Sequence, residues 1–280
     1  MNRTMIIATN TMTQLQYKMD IIGHNISNVQ TNGFKRKESY FNDLLVQQFE
    51  TLGRADKEIG RLTPNGVRQG TGAKISQAKL VLTQGSVKTT DRDLDVALQK
   101  KDLFFKVQGE NEQSVNFTRD GAFYLSPDPQ NPDRMMIVTG NGHPLLDEYD
   151  NPISVNGDIK EITFSENGEL RVTSHNGGAE TFGLGIVSVK NPQFLEQVGG
   201  NLLGLPANLD ELNVTEEDVL TSLTGGGRDE ISLQQRALET SNVDLSKEMT
   251  DLMSMQRHYQ FQARSITLAD QMLSLVNGIR

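Results

Sequence analysis

Four histidines, His24, His143, His175 and His258, are the first side chains to weigh for chemistry. None falls in an H-E-x-x-H or other paired-ligand spacing, so they read as surface or helix-face residues and no metal site is expected. Asp91, Asp93 and Asp95 imitate the opening of a calcium loop. The sixth position of that loop would be Val96 where Gly is required, and the twelfth would be Asp102 where a bidentate Glu is required, which leaves an acidic turn ahead of a strand. The run Gly66 to Lys74 has the glycines of a phosphate loop but not its register, since Lys74 is followed by Ile75. Asp147 and Glu148 are adjacent carboxylates that nothing in the chain places across a cleft, and no Ser sits in a G-x-S-x-G elbow. With no Cys there is no thiolate ligand, no cysteine nucleophile and no disulfide framework. Catalytic, cofactor-binding and metal-ligating residues are therefore all left unassigned, and the chain does not read as an enzyme.

Composition narrows the partners. The 280 residues carry 27 Lys+Arg against 36 Asp+Glu, a formal net charge of -9, which argues against binding a phosphate backbone. Mean hydropathy is -0.46, and no apolar run reaches the roughly 18 residues of a membrane span. Direct membrane binding is not expected either, because the basic cluster Lys35-Arg36-Lys37 lacks an amphipathic anchor for anionic lipid and reads as a solvated turn. Near Met1 the only apolar run is Met5-Ile6-Ile7, too short for a secretory signal.

The elements that must position any function lie at the two ends. Met5, Ala8, Met12, Leu15, Met19, Ile22, Ile26 and Val29 alternate at spacings of three and four, the seam of a coiled-coil helix. It is expected to stop at Thr31-Asn32-Gly33, where Gly admits positive φ. Residues 232 to 277 hold no Gly or Pro and predict a second long helix, capped at Asn242 or Asp244. One of its seams runs Leu245, Met249, Leu252, Tyr259, Ala263, Ile266, Leu273, interrupted by Gln256 and Asp270. Another runs Phe261, Leu268, Met272, Leu275, Ile279. Two stripes on different faces call for more than one neighbour. Helices of roughly 25 and 35 residues would reach about 38 and 52 Å, longer than a globular domain needs, so they are expected to project from the body.

Between the ends the pattern turns to short strands at 79–82, 94–98, 103–107, 135–138, 169–172 and 184–189. Asn-Gly pairs at 65–66, 141–142, 156–157, 167–168 and 176–177 suit tight hairpins. The fold class is α+β: terminal long helices pairing as a coiled coil, with an all-β middle domain. The expected divisions are an N-terminal helix at 1–33, an extended linker at 34–72, a β-rich domain at 73–204, an acidic and Gly-rich junction at 205–230 and a C-terminal helix at 231–280. Regular apolar seams at both ends predict a chain that becomes fully ordered on assembly.

Several stretches resemble a known family. Gly23 to Arg36, with Asn25, Asn28, Thr31, Gly33, Phe34 and Lys35, is similar to the N-terminal signature NxANxxTxGYK of bacterial flagellar rod and hook axial proteins, with Asn32 where Pro is common and Phe34 for Tyr. Leu238 to Met249, with Glu239, Ser241, Asn242, Val243 and Asp244, resembles that family's LExSNVDxxxEM, and Gln256-Arg257-His258-Tyr259 its QRxY. Gln84-Gly85-Ser86 with Leu94 to Leu98 and Phe104 to Val107 looks like the QGxxxxTxxxLDxAIxGxGFFxV block, and Phe117 to Phe123 like YTRDGxF. Lys100-Lys101-Asp102 departs from it where small residues are usual, and the acidic stretch 206–224 has no counterpart. Within the family the distal rod group is the nearest match, through the LExSNVD-like block.

The resemblance implies a structural subunit of the basal-body rod. It would pass through the flagellar type III export apparatus without a cleaved signal and lie outside the cytoplasmic membrane. There it would polymerise helically with copies of itself and with other rod and hook subunits, enclosing the export channel and transmitting torque. The alternatives are a hook or proximal-rod subunit and, in another class, a peptidoglycan-binding or peptidoglycan-active protein. Assembly is expected to rest on Met5, Met12, Leu15, Met19, Ile22, Ile26 and Val29 at one end, and on Leu245, Met249, Leu252, Tyr259, Ile266, Leu268, Met272, Leu273 and Leu275 at the other.

Overall fold

The computed structural model describes residues 2–43, 47–49, 67–70, 73–75, 77–109, 114–129, 131–206 and 214–278. The Asn-Gly pair at 65–66, Ile279, and parts of the 66–74 loop and of the 206–224 stretch lie outside the described residues. The chain divides into two compact units, one of Met1–Ile26, Lys37–Ala78 and Leu245–Arg280, the other of Ser27–Arg36 and Lys79–Asp244.

The terminal unit holds two long helices, α1 (Asn2–Ser27) and the C-terminal α3 (Leu245–Gly278). Across them Gln16 donates to the Tyr259 hydroxyl at 3.4 Å and Asn25 to Glu248 at 3.3 Å. On α1 the buried residues Ala8, Leu15 and Ile22 recur every seven positions along the expected seam, while Met5, Met12, Met19 and Ile26 are half-buried. Val29 falls outside the helix, because Thr31 folds back on Asn28 through both its amide (3.2 Å) and its hydroxyl (3.1 Å) and closes the chain into a turn. Residues 34–72, expected as an extended linker, contain paired strands where they are described. Phe41–Asp43 runs antiparallel to Ala73–Ile75, and Gln47–Phe49 to Val67–Gln69.

The second unit is a β body. Its largest sheet is antiparallel and six-stranded, in the order Glu196–Gly199, Leu202–Gly204, Val115–Thr118, Leu103–Gln108, Ile186–Val189, Leu220–Ser222. The central strand Leu103–Gln108 is apolar on both faces because both are covered. Leu103, Phe105 and Val107 enter one core with residues of two three-stranded sheets, and Phe104 enters another with Phe117, Val187, Val189 and Leu203. Phe105 meets Phe123 edge to face, with centroids 5.2 Å apart.

Three of the expected hairpins form, around Asn141-Gly142, Asn167-Gly168 and Asn176-Gly177. Only the Gly of each pair has positive φ, near 80°, and Gly168 and Gly177 donate back to Ser165 and Ser174. A type I turn followed by one left-handed residue therefore replaces the two-residue turn expected from the pairs. Asn156-Gly157 is no hairpin, since the strands flanking it belong to different sheets.

Where it is described, the acidic junction is structured. A single helical turn, α2 (Glu216–Val219), opens with a capping box between Thr215 and Asp218, and the chain then becomes the edge strand Leu220–Ser222. The C-terminal helix α3 begins at Leu245, directly after the expected cap Asp244, and the first residues of the expected division 231–280 are strands instead. Leu233–Gln235 pairs with Val96–Leu98 and Ala237–Glu239 with Val87–Thr89. Absence of Gly and Pro permits a helix without requiring one; here Leu233, Ala237 and Glu239 are buried by strand pairing, and that burial overrides helical propensity.

Candidate functional site

Residues from the quoted motifs converge inside the β body. α1 is followed by a turn that ends at Gly33, whose φ is +66° and whose amide donates to the Glu239 carbonyl at 2.8 Å. A Cβ built on Gly33 would lie 2.4 Å from the Arg119 carbonyl carbon, so both the dihedral and the space demand Gly. Phe34 is buried beside it.

Next comes Lys35, which the sequence placed in a solvated basic turn. It is buried instead, with Nζ 2.6 Å from Glu239 Oε1 and 2.9 Å from the Thr83 carbonyl. The other carboxylate oxygen, Oε2, accepts from Arg119 Nε at 2.7 Å, and Oε1 also accepts the Gly85 amide at 2.8 Å. Arg119 is fully buried. Its Nη1 donates to the Lys100 and Leu103 carbonyls at 2.8 and 2.9 Å and its Nη2 to the Leu98 carbonyl at 3.4 Å, while the guanidinium stacks 5.6 Å from the centroid of Phe104.

Two cations thus share one anion away from water. Burial, and then the Arg119 charge, push the Lys35 ammonium down to about 8 against the pull of Glu239. Burial likewise lowers Arg119, with Glu239 opposing. Such a knot is held by completeness: removing one member leaves a charge buried without a partner. The chemistry available is cross-bracing, since every described polar atom of Glu239 is already bonded and none is presented to a ligand.

Asn242, expected as a helix cap, serves the same junction. Its Oδ1 accepts the Arg36 amide at 2.8 Å, and its Nδ2 donates to the Val81 and Thr83 carbonyls at 2.7 and 2.9 Å. Ser241 accepts the Val243 amide at 3.3 Å. In the terminal unit Asn25 is buried, while Gln256 and Arg257 are exposed and Tyr259 is half-buried.

On α3 the covered face is Glu248, Leu252, Met255, Tyr259, Gln262, Ile266, Ala269 and Leu273, at spacings of four and three. Leu252, Tyr259, Ile266 and Leu273 of the expected seam lie on it. Leu245 and Met249 do not, for the face is set one position earlier, at Glu248. Phe261, Leu268, Met272 and Leu275 remain 50–68% exposed, a second apolar stripe that the described residues leave uncovered.

Among the described residues no group of three or more His, Asp or Glu could hold a metal. Asp93 and Asp95 pair with Arg236 and Arg92. Asp147 accepts the Tyr149 and Asn151 amides of its own turn, and Glu148 bonds Arg228 at 2.9 Å. No described helix is long and apolar enough to cross a membrane. The sequence does not single out Arg119 and Glu248 as site residues, although both lie in the motif stretches: Arg119 is the Arg of the YTRDGxF-like segment and Glu248 the last Glu of the LExSNVDxxxEM-like one.

Comparison with known proteins follows the same residues. Three family models match in order: "Flagella basal body rod protein" over 5–35, "Flagellar hook protein FlgE/F/G D1 domain" over 102–172 and "Flagellar basal body rod FlgEFG protein C-terminal" over 234–279. Lys35, Arg119 and Glu239 fall one in each. The chain is 41% identical to the flagellar hook-basal body complex protein FlhP of Bacillus subtilis, covering 100% of both. It is 30% identical to the flagellar basal-body rod protein FlgG of Borreliella burgdorferi, over 100% of this chain and 99% of that protein. The corresponding figures for FlgG of Bacillus subtilis are 29%, 99% and 99%.

Proposed function

The chain belongs to the flagellar basal-body rod and hook protein family, and from that premise we propose that it is a structural subunit of the distal rod. Its place is the flagellar basal body, outside the cytoplasmic membrane. There it polymerises helically, α1 and α3 pairing as a coiled coil that joins copies of itself and other rod and hook subunits around an export channel, while the β body stiffens the tube against torque. It reaches that position through the flagellar export apparatus, and its role is mechanical, not catalytic.

The observation that carries this reading is the uncovered stripe Phe261, Leu268, Met272 and Leu275, on a helix whose opposite face is already occupied within the chain. A contiguous apolar face of that length is what a helix keeps for neighbouring subunits. The heptad recurrence of Ala8, Leu15 and Ile22 supports the coiled-coil pairing.

Complementation of a deletion strain tests it. Wild-type protein is expected to restore motility and rods in isolated basal bodies, whereas Leu15→Asp, Leu252→Asp and Leu268→Asp are not. Motility and intact rods in all three variants would contradict the reading. The name of the 41% identical relative, a hook-basal body complex protein, keeps a second position within the family in view. Basal bodies of the deletion strain decide between them: an absent distal rod supports the first assignment, and an absent hook or proximal rod the second.

A further inference from the structure

An antiparallel helix pair with a heptad seam has a register problem. On α1 the buried apolar residues Ala8, Leu15 and Ile22 recur every seven positions, and on α3 the half-buried Leu252, Tyr259, Ile266 and Leu273 do the same. Sliding one helix past the other by seven residues would again set apolar positions against apolar positions, so the seam by itself does not choose.

Among the described side chains of the two helices, Asn25 and Glu248 are the only ones that are polar and buried, at 1% and 4% exposure. They meet, with Asn25 Nδ2 donating to Glu248 Oε2 at 3.3 Å. The Asn25 amide is also fixed from behind, since its Oδ1 accepts the Lys37 amide at 3.0 Å and its Nδ2 donates to the Lys37 carbonyl at 2.9 Å. The Asn side chain cannot swing to follow a displaced partner without breaking both bonds. A slip of seven residues would bring Asn25 level with Met255 in one direction and with Ser241, outside the helix, in the other. Either leaves a buried carboxylate without its donor, a state that costs more than any apolar mismatch along the seam.

We propose that the buried Asn25–Glu248 pair is the specificity determinant that sets the register of α1 against α3. A polar residue at one seam position fixes register at some cost in stability, and here both halves of the device lie at the end of the pair nearest the β body in sequence. The proposal does not depend on where in the flagellum the subunit sits.

The chain has no Cys, so engineered thiol pairs report register cleanly in the full-length protein. Gln16→Cys with Tyr259→Cys reads the native contact, and Gln16→Cys with Leu252→Cys or with Ile266→Cys reads the two slipped ones. With Asn25 and Glu248 intact, cross-linking by a short bis-maleimide should favour the native pair by at least about tenfold. Adding Asn25→Leu with Glu248→Leu, or Asn25→Ala alone, should bring slipped and native yields to within about threefold, while Glu248→Gln, which keeps an acceptor for Asn25, should preserve the native preference.

Native preference retained in both the leucine and the alanine variants would overturn the proposal. So would loss of all three cross-links in the leucine variant with helix content reduced, because the pair would then be needed for pairing itself, not for register. Failure of the native pair to cross-link in the otherwise unaltered chain would overturn it as well.

Discussion

The two units of the chain bury their residues on different principles. The β body closes two apolar cores and, between its motif segments, a knot of two cations and one anion whose members are each 3% exposed or less. The terminal unit has 26- and 34-residue helices, yet its buried residues there are few: Ala8, Leu15, Ile22 and Asn25 on α1, Glu248 and Ala269 on α3. Helical hydrogen bonds are local, but most of a helix's stability in a protein comes from packing an apolar face. Among the described residues, the β body closes its two cores, whereas α3 leaves Phe261, Leu268, Met272 and Leu275 exposed.

That contrast orders the effects of substitution on the single chain. Glu239→Ala should be the most damaging, at about 3–5 kcal/mol, because it strands both Lys35 and Arg119 without an anion. Urea unfolding of purified monomer would measure it, and a loss below about 1 kcal/mol would mean the knot is not a closed network. Gly33→Ala should cost about 2 kcal/mol or more through its left-handed φ and the crowding against Arg119, and the same titration reads it.

The pH response of the knot is smaller and has a definite sign. Lys35 sits at about 8 in the fold against its ordinary 10.5, so between those values the unfolded chain binds more protons than the folded one. From this group, stability rises with pH across that window, by at most about 1.4 kcal/mol per pH unit. Subtracting the urea profile of Lys35→Met from that of the wild type between pH 7 and 10.5 isolates it. A difference that stays flat or falls would show that Glu239 holds the ammonium fully charged.

Smallest of all should be Leu268→Asp on the exposed stripe: within about 0.5 kcal/mol on monomer stability, with sedimentation showing that assembly is lost. A large loss in the monomer would erase the distinction between the units.

How much of this the residues disclose in advance follows the same division. The heptad seam of α1 is local periodicity, and it foretold Ala8, Leu15 and Ile22 as the buried face. The motif blocks pointed to Gly33, Lys35, Glu239 and Asn242 without saying what they do. Lys35 reads as a surface lysine because its two neighbours are basic, and the carboxylate that makes burial affordable lies 204 residues away. The segment 233–239 falls within the expected helical division 231–280, though ahead of its expected caps, for a similar reason: its strand partners at 87–89 and 96–98 are far off in sequence, and only pairing with them makes Leu233 and Ala237 interior. On α3 the expected seam holds from Leu252 to Leu273 and misses only at its start, where Glu248 is covered in place of Leu245 and Met249, because Glu248 looks like a solvent residue until Asn25 is put beside it.

Hydrogen exchange on the intact chain, read peptide by peptide before and after polymerisation, compares the two units most directly. The amides of the β body, Gly33 and Gly85 among them, should be protected equally in monomer and polymer, and those of α3 from Met253 to Val276 should gain strong protection only on assembly. Protection of α3 in the monomer matching that of the body would contradict this, since the apolar stripe would then be satisfied within one chain.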